Sequence, residues 1–261
     1  MSKVVLITGA SRGLGLYTAQ AFLKKGYTVY GTSRSAGNNI DGIKMLSLDV
    51  CEEQSCEKAV AEVIAAEGRI DVLVNNAGYG VSGPSEYIAE VDMVSQFDTN
   101  FFGVMRMTKL VLPHMRKNGS GIIINIGSVA GIIPLPFQSM YSASKAAVES
   151  FSQAVNFEAK PHGVRHICIE FGDMKTGFTN HRVKPPKTEP YTKAFLKSVG
   201  KMEKDEQNAP LPIKAARFIV KTAEKKRPKP VYVCGFGYKC VVLLRRILPL
   251  RISDFIIKKF I

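Results

Sequence analysis

Tyr141 and Lys145 stand four residues apart, so on a helix their side chains share one face. A phenol has a pKa of about 10 and shuttles protons poorly at neutral pH. An ammonium about 4 Å away in a partly shielded site favours tyrosinate by about 4 kcal/mol, equivalent to about three pKa units. That pairing points to acid/base chemistry, where a Tyr and a Lys without further support would be a solvated surface pair. Ser128 lies thirteen residues before Tyr141 at the end of an apolar run. Carried on a turn toward Tyr141, its hydroxyl suits a donor to a carbonyl oxygen on which charge develops.

A second chemistry is written near the start, where Val4-Val5-Leu6-Ile7 runs into Thr8-Gly9-Ala10-Ser11-Arg12-Gly13-Leu14-Gly15 and then a helical pattern. Glycines at 9, 13 and 15 permit a tight turn, close approach of the backbone to a pyrophosphate and close packing of helix on strand. The helix N-terminus then faces the anion. After the second apolar run no acid occurs between Tyr27 and Asp41, so nothing there would repel a ribose 2′-phosphate. Arg34 and Arg12 are cations placed to clamp that phosphate, which favours NADP(H) over NAD(H). Asp49 reads either as an adenine contact or as a helix N-cap before Glu52-Glu53.

The elements that must hold these groups alternate. Short runs rich in Val, Ile and Leu at about 3–8, 27–33, 43–48, 70–75, 121–127, 164–170 and 230–234 predict strands, with helices between them. Alternation of that kind predicts an α/β class, a doubly wound parallel sheet in a single domain. The two longest helical patterns, 92–117 and 140–160, are apolar on more than one face, as happens when a partner subunit covers one of them. Residues 172–210, rich in Pro and Lys and without a strand pattern, read as a substrate lid or a disordered segment. The expected division is a catalytic domain over 1–235 and a tail over 236–261.

With 261 residues, 46% hydrophobic and 22% charged, the chain is neither disordered nor a disulfide scaffold, and its five dispersed cysteines suit a reducing compartment. Residues 1–174 carry fifteen Lys and Arg against sixteen Asp and Glu, whereas residues 175–261 carry twenty-one against six. A nucleic-acid binder would not be expected to segregate its charge so sharply. No stretch suits a signal peptide or a membrane span, so a cytoplasmic protein is expected. His162 and His166 are separated by Gly163 and preceded by Pro161, which argues against a helical metal pair, and no metal is expected.

The spacing G-x-x-x-G-x-G, followed in order by Asn75-Asn76-Ala77-Gly78, Asn100, Ser128 and Tyr141-Ser142-Ala143-Ser144-Lys145, resembles the short-chain dehydrogenase/reductase family over residues 4–176. The resemblance implies a Rossmann-type fold, an oxidoreductase acting on CH–OH groups, and a catalytic set of Asn100, Ser128, Tyr141 and Lys145. By the same resemblance Lys145 also holds the nicotinamide ribose and Asn100 supports Lys145 through a water. Position alone would make Asn100 a helix-interior residue with a local hydrogen bond. The implied cofactor contacts are Gly9, Ser11, Arg12, Gly13, Leu14, Gly15, Ser33, Arg34, Asp49, Val50, Asn76, Ala77, Gly78, Tyr141, Lys145, Gly172 and Thr176. Where the family usually has Pro-Gly, this chain has Phe171-Gly172.

Within the family the chain is most similar to the hydroxysteroid and retinol dehydrogenase type, on Asn76-Ala77-Gly78-Tyr79-Gly80, Leu135-Pro136-Phe137 and Ile169-Glu170-Phe171-Gly172. Val81, Leu135, Phe137, Met140, Phe171, Met174 and Phe178, with Ser128 and Tyr141, are the expected substrate wall. Their apolarity favours a bulky lipophilic ketone, aldehyde or alcohol, unless several of them only pack the core beneath the lid. A keto intermediate of lipid synthesis is the alternative substrate, and a non-catalytic NADP(H)-binding regulator at the membrane surface the alternative class. Loss of one of the four catalytic residues would have favoured the regulator, and all four are present. A homo-oligomer, dimer or tetramer, is expected. In the tail, Lys239, Arg245 and Arg246 fall together on a helical wheel, with Val241, Leu244 and Leu248 on another face. Such a tail either lies on an anionic bilayer or packs on the body or a second subunit.

Overall fold

The apolar runs form the strands of one parallel sheet, the inner ones buried on both faces, and they pair only when crossover helices return the chain to the same edge. The computed structural model describes residues 2–35 and 39–257. Its strands are β1 (Val4–Ile7), β2 (Thr28–Ser33), β3 (Lys44–Ser47), β4 (Val72–Asn75), β5 (Gly121–Ser128), β6 (Val164–Phe171) and β7 (Val231–Val233), in the order β3-β2-β1-β4-β5-β6-β7. Every pairing is parallel, and the order reverses between β1 and β4. In a doubly wound sheet a crevice opens at that reversal, beyond the C-terminal strand ends.

Two helical layers cover the sheet. Helices α1 (Gly13–Leu23) and α7 (Ile213–Ala223) pack on one face, over a core that includes Ile7, Phe22, Val29, Ile124 and Ile169. On the other face lie α2 (Glu53–Glu67), α4 (Gly103–Lys117) and α5 (Ser139–Ala159), over Leu6, Leu73, Met107, Val111 and Ile123. The single helix expected over 92–117 is instead α3 (Glu90–Phe97), a π turn over Asp98–Phe102, and α4. The π turn inserts an extra residue into the helical ladder at Asn100, a feature found most often at functional sites.

The 172–210 region is more ordered than its composition suggested. It makes a bridge from Val183 to Val81, a 3₁₀ turn over Thr179–His181 and the helix α6 (Thr192–Asn208). Phe195, Val199 and Met202 recur at i, i+4 and i+7, which is the apolar stripe of that helix; Phe195 and Val199 are buried. The tail forms α8 (Phe236–Ile247) and α9 (Leu250–Ile257). Val242 of α8 is buried against Val129 and Ile133, with Val241 and Tyr238 beside it. Of Lys239, Arg245 and Arg246, grouped on the wheel of this helix, Arg245 turns in to bond Ser253 Oγ at 3.0 Å and Asp254 Oδ1 at 2.5 Å. Residues 258–261 of the expected tail lie outside the described residues.

Candidate active site

A cavity of about 860 Å³ runs along the C-terminal ends of β1, β2, β4, β5 and β6, from the glycine turn to α8. One end is made of the turn after β1. Gly13 sits at φ +53°, and a Cβ there would press on the Thr176 carbonyl oxygen, so glycine alone lets the lid segment lie across the turn. Gly9, Ser11, Arg12, Gly13, Leu14, Ser33, Arg34, Asp49, Val50, Asn76, Ala77, Gly78, Gly172 and Thr176 all line this cavity, as expected for a nucleotide groove. Gly15 does not. It packs under the turn, where a Cβ would collide with the Gly9 carbonyl, and so shapes the groove without facing it.

These residues fit a dinucleotide on the chain's own geometry: open glycine backbone at a helix N-terminus, two arginines at the far end and no acid after β2. Asp49 does not cap α2. The N-cap position is Glu52, and Asp49 Oδ1 instead accepts from the Cys51 N–H at 3.0 Å. Arg12 is not a free clamp either, since its Nη1 meets His181 Nε2 at 2.7 Å and ties the turn to the lid.

At the other end the chemistry-bearing side chains converge. Ser128 closes β5, and its Oγ accepts from the Ala130 N–H at 3.2 Å. Tyr141, in the first turn of α5, shares the cavity wall with Ser128, whose hydroxyl is near enough to favour the phenolate. One helical turn on, Lys145 is buried; its Nζ donates to the Ile126 carbonyl at 2.7 Å and lies 5.9 Å from the centre of the Tyr141 ring. Asn100 is buried behind them, off the cavity wall. Its Oδ1 accepts from the Tyr79 N–H at 3.1 Å, and its Nδ2 donates to the Tyr79 carbonyl at 2.9 Å and Ser144 Oγ at 3.2 Å. The π turn is what swings this side chain inward, so its hydrogen bonds reach beyond its own helix.

Electrostatics here run against one expectation. Burial pushes the Tyr141 phenol up to about 12, and the Ser128 hydroxyl only partly offsets that. The Lys145 ammonium, also pushed down by burial, is turned toward the Ile126 carbonyl and does not acidify the phenol as its spacing suggested. Tyr141 therefore holds its proton at neutral pH. Beneath Ser128, Glu170 of β6 is fully buried and raised to about 8, chiefly by desolvation.

The apolar wall is partly as expected. Leu135, Phe171, Met174 and Phe178 line the cavity with Ser128 and Tyr141, and Phe178 packs edge-on to Tyr141 at 5.7 Å. Phe137 and Met140 do not line it. Phe137 adopts φ +62° and turns its ring to Tyr191 and Phe195 under the lid, while Met140, on the turn of α5 before Tyr141, is half-buried elsewhere. Val81 is buried beneath the wall and its bridge partner Val183 faces the cavity instead. Sequence reasoning missed Gln138, Met202, Glu206, Tyr238 and Val241 as lining residues. The spacing of Phe195, Val199 and Met202 could have located α6, and with it Glu206.

The short chain dehydrogenase family profile matches residues 3–187. The chain is 44% identical over 229 residues to the 3-ketodihydrosphingosine reductase of Bacteroides thetaiotaomicron, covering 87% of this chain and 85% of that one. It is 37% identical over 191 residues to human 17-beta-hydroxysteroid dehydrogenase type 1, covering 67% and 58%. Among solved structures, ElxO with NADP bound superposes with a TM-score of 0.76 at 28% identity, over 92% of this chain and all of the other. The chain belongs to the short chain dehydrogenase family. It is an oxidoreductase of CH–OH and carbonyl groups, on a Rossmann-type α/β sheet.

Proposed function

We propose that the protein uses NADP(H) to interconvert a bulky lipophilic ketone and its alcohol, and that a long-chain keto-lipid is the substrate class. The observation that carries this is the cavity itself: one continuous space joins the glycine turn to an apolar wall that ends at the Ser128–Tyr141 pair. The 44% identity to a ketosphingosine reductase supports the keto-lipid, and Arg34 beside an acid-free strand end supports the phosphorylated cofactor. The 37% identity to a hydroxysteroid dehydrogenase keeps a steroid ketone as the second reading.

NADPH, when bound, supplies the hydride. Ser128 Oγ holds the carbonyl oxygen of the substrate, and Tyr141 Oη gives that oxygen its proton as charge builds there. Lys145 contacts the ribose, and Asn100 is the support behind Lys145. Because Tyr141 is protonated at neutral pH, reduction is the direction its resting state serves.

Exposed Val91, Val94, Phe102, Met105 and Phe157 on α3–α5 are the face we assign to a second copy of the chain. All five cysteines are free, which suits a reducing compartment. The decisive experiment follows NADPH and NADH absorbance with a panel of a long-chain keto-lipid, a steroid ketone and retinal. Turnover of the keto-lipid with NADPH is expected. NADPH binding with no turnover of any ketone would leave a regulator on the same fold.

A further inference from the structure

Helix α8 is apolar on two opposite sides. At 3.6 residues per turn, Tyr238, Val241, Val242 and Arg245 fall on one side, and Phe236, Cys240, Leu243, Leu244 and Ile247 on the other. The first side is accounted for by the body: Val242 is buried on Val129 and Ile133, while Tyr238 and Val241 line the cavity. Among the described residues the second side has no cover. Phe236 is 83% exposed and Ile247 70%, and the stripe continues beyond Pro249 into Leu250, 63% exposed, and Ile252. The bonds from Arg245 to Ser253 and Asp254 lock α9 against α8, so the bare residues belong to one braced platform. Lys239, Arg246 and Arg251 are exposed on the same two helices, Arg246 also reaching Glu149 of α5 at 3.9 Å.

We propose that this platform lies in the surface of an anionic bilayer, with Phe236, Leu243, Ile247 and Leu250 entering the acyl boundary and the three cations meeting the headgroups. Charge complementarity selects this occupant. A self-complementary contact with a second copy would bring this cationic patch against the same patch, in a region with twenty-one Lys and Arg against six Asp and Glu. An anionic surface attracts the same cations. Interfacial helices bury one apolar face about 5–10 Å deep beneath a basic polar flank, which is the form of α8. No described helix is long and apolar enough to cross a membrane, so the contact is peripheral. The arrangement places the cavity wall, through Tyr238 and Val241, about one helix diameter, ~10 Å, from the lipid.

The test is flotation of the full chain with vesicles of phosphatidylglycerol plus phosphatidylcholine and of phosphatidylcholine alone, at low salt and at about 1 M salt. Binding to the anionic vesicles only, weakened by salt, is expected. Leu243→Glu with Ile247→Glu should lower the bound fraction at least tenfold. Lys239→Glu with Arg251→Glu should do the same and, altering only exposed cations, keeps the test valid if the first pair disturbs folding; far-UV circular dichroism checks both. Absence of binding by the unaltered chain, or unchanged binding by both variants, overturns the proposal. So does a dimer in vesicle-free buffer that either variant splits, which would give the platform to a second copy. Flotation is read without turnover, so its outcome is separable from that of the ketone assay.

Discussion

The Lys145 ammonium lies 5.9 Å from the centre of the Tyr141 ring while donating to the Ile126 carbonyl at 2.7 Å, so the cation stands beside the phenol without bonding it. Such an arrangement leaves the proton on Tyr141 until a negative oxygen forms. Tyr141→Phe should cut ketone reduction at least about a hundredfold and leave NADPH affinity within a few-fold. Stopped-flow turnover and a fluorescence titration of NADPH check the two halves. Retained turnover would remove Tyr141 from the chemistry.

The pH dependence follows from the raised phenol. Its acid form persists well above neutral pH, so the reductive kcat should stay level from about pH 6 to 9. Alcohol oxidation needs the phenolate and should climb with pH over the same range. Steady-state profiles in both directions read this; an oxidative profile that levels off near neutral pH would show a phenol lowered well below its ordinary value of about 10.

At the far end of the groove, Arg34 is exposed and Arg12 is engaged with His181. Arg34 is thus the freer cation for a 2′-phosphate. Arg34→Asp should raise the KM for NADPH at least tenfold and that for NADH far less, since a carboxylate there repels phosphate and accepts from a ribose hydroxyl. Equal effects on both cofactors would assign Arg34 to general electrostatics.

The lid is fastened by a buried ion pair. Arg182, whose side chain is 0% exposed, reaches Glu203 at 3.2 Å and Glu206 at 2.6 Å, and Lys184 shares Glu203. Arg182→Met would leave Glu206 short of its buried partner, a loss of about 3 kcal/mol or more for such pairs. The expected result is faster proteolysis within 177–208 and a raised KM for the ketone, with a smaller change in kcat. Unchanged proteolysis would mean the lid is held by its apolar contacts alone.

Strands were legible because the inner apolar runs are buried on both faces, and Tyr141, Lys145 and Ser128 were legible because helix period and strand end fix them locally. What was not legible depends on partners distant in sequence. Asn100 reads as an ordinary helical residue until the π turn aims it at Tyr79 and Ser144. Lys145 reads as an acidifier of Tyr141 until the Ile126 carbonyl claims its Nζ and burial outweighs the remaining attraction. Phe137 reads as cleft wall until its positive φ turns it to Tyr191 and Phe195. The Lys- and Pro-rich composition of 172–210 masked α6, whose stripe of Phe195, Val199 and Met202 is short and set among lysines.

Glu170 carries the last prediction. It faces Gly127 across the β5–β6 register, and a Cβ at 127 would collide with its carboxyl, so glycine on the neighbouring strand is what makes room for it. Its Oε1 accepts from Cys168 Sγ at 2.9 Å, and Oε2 has no hydrogen-bond partner among the described residues. With the folded-state value raised from 4.5 to about 8, the native chain binds the proton more tightly than the unfolded one. The stability linked to Glu170 is therefore complete below the unfolded pKa and is lost as pH rises through about 8. Each pH unit of that displacement is worth about 1.4 kcal/mol. Glu170→Gln keeps the shape and removes the titration. The variant should lose less stability than the natural chain between about pH 5 and 9. Buried His166, depressed to about 3, contributes with the opposite sign and costs stability as pH falls below its unfolded value. It is common to both proteins, so the difference between their melting curves isolates Glu170. Parallel curves across that range would show that the carboxyl is charged in the folded chain at neutral pH, favoured by the Lys145 charge.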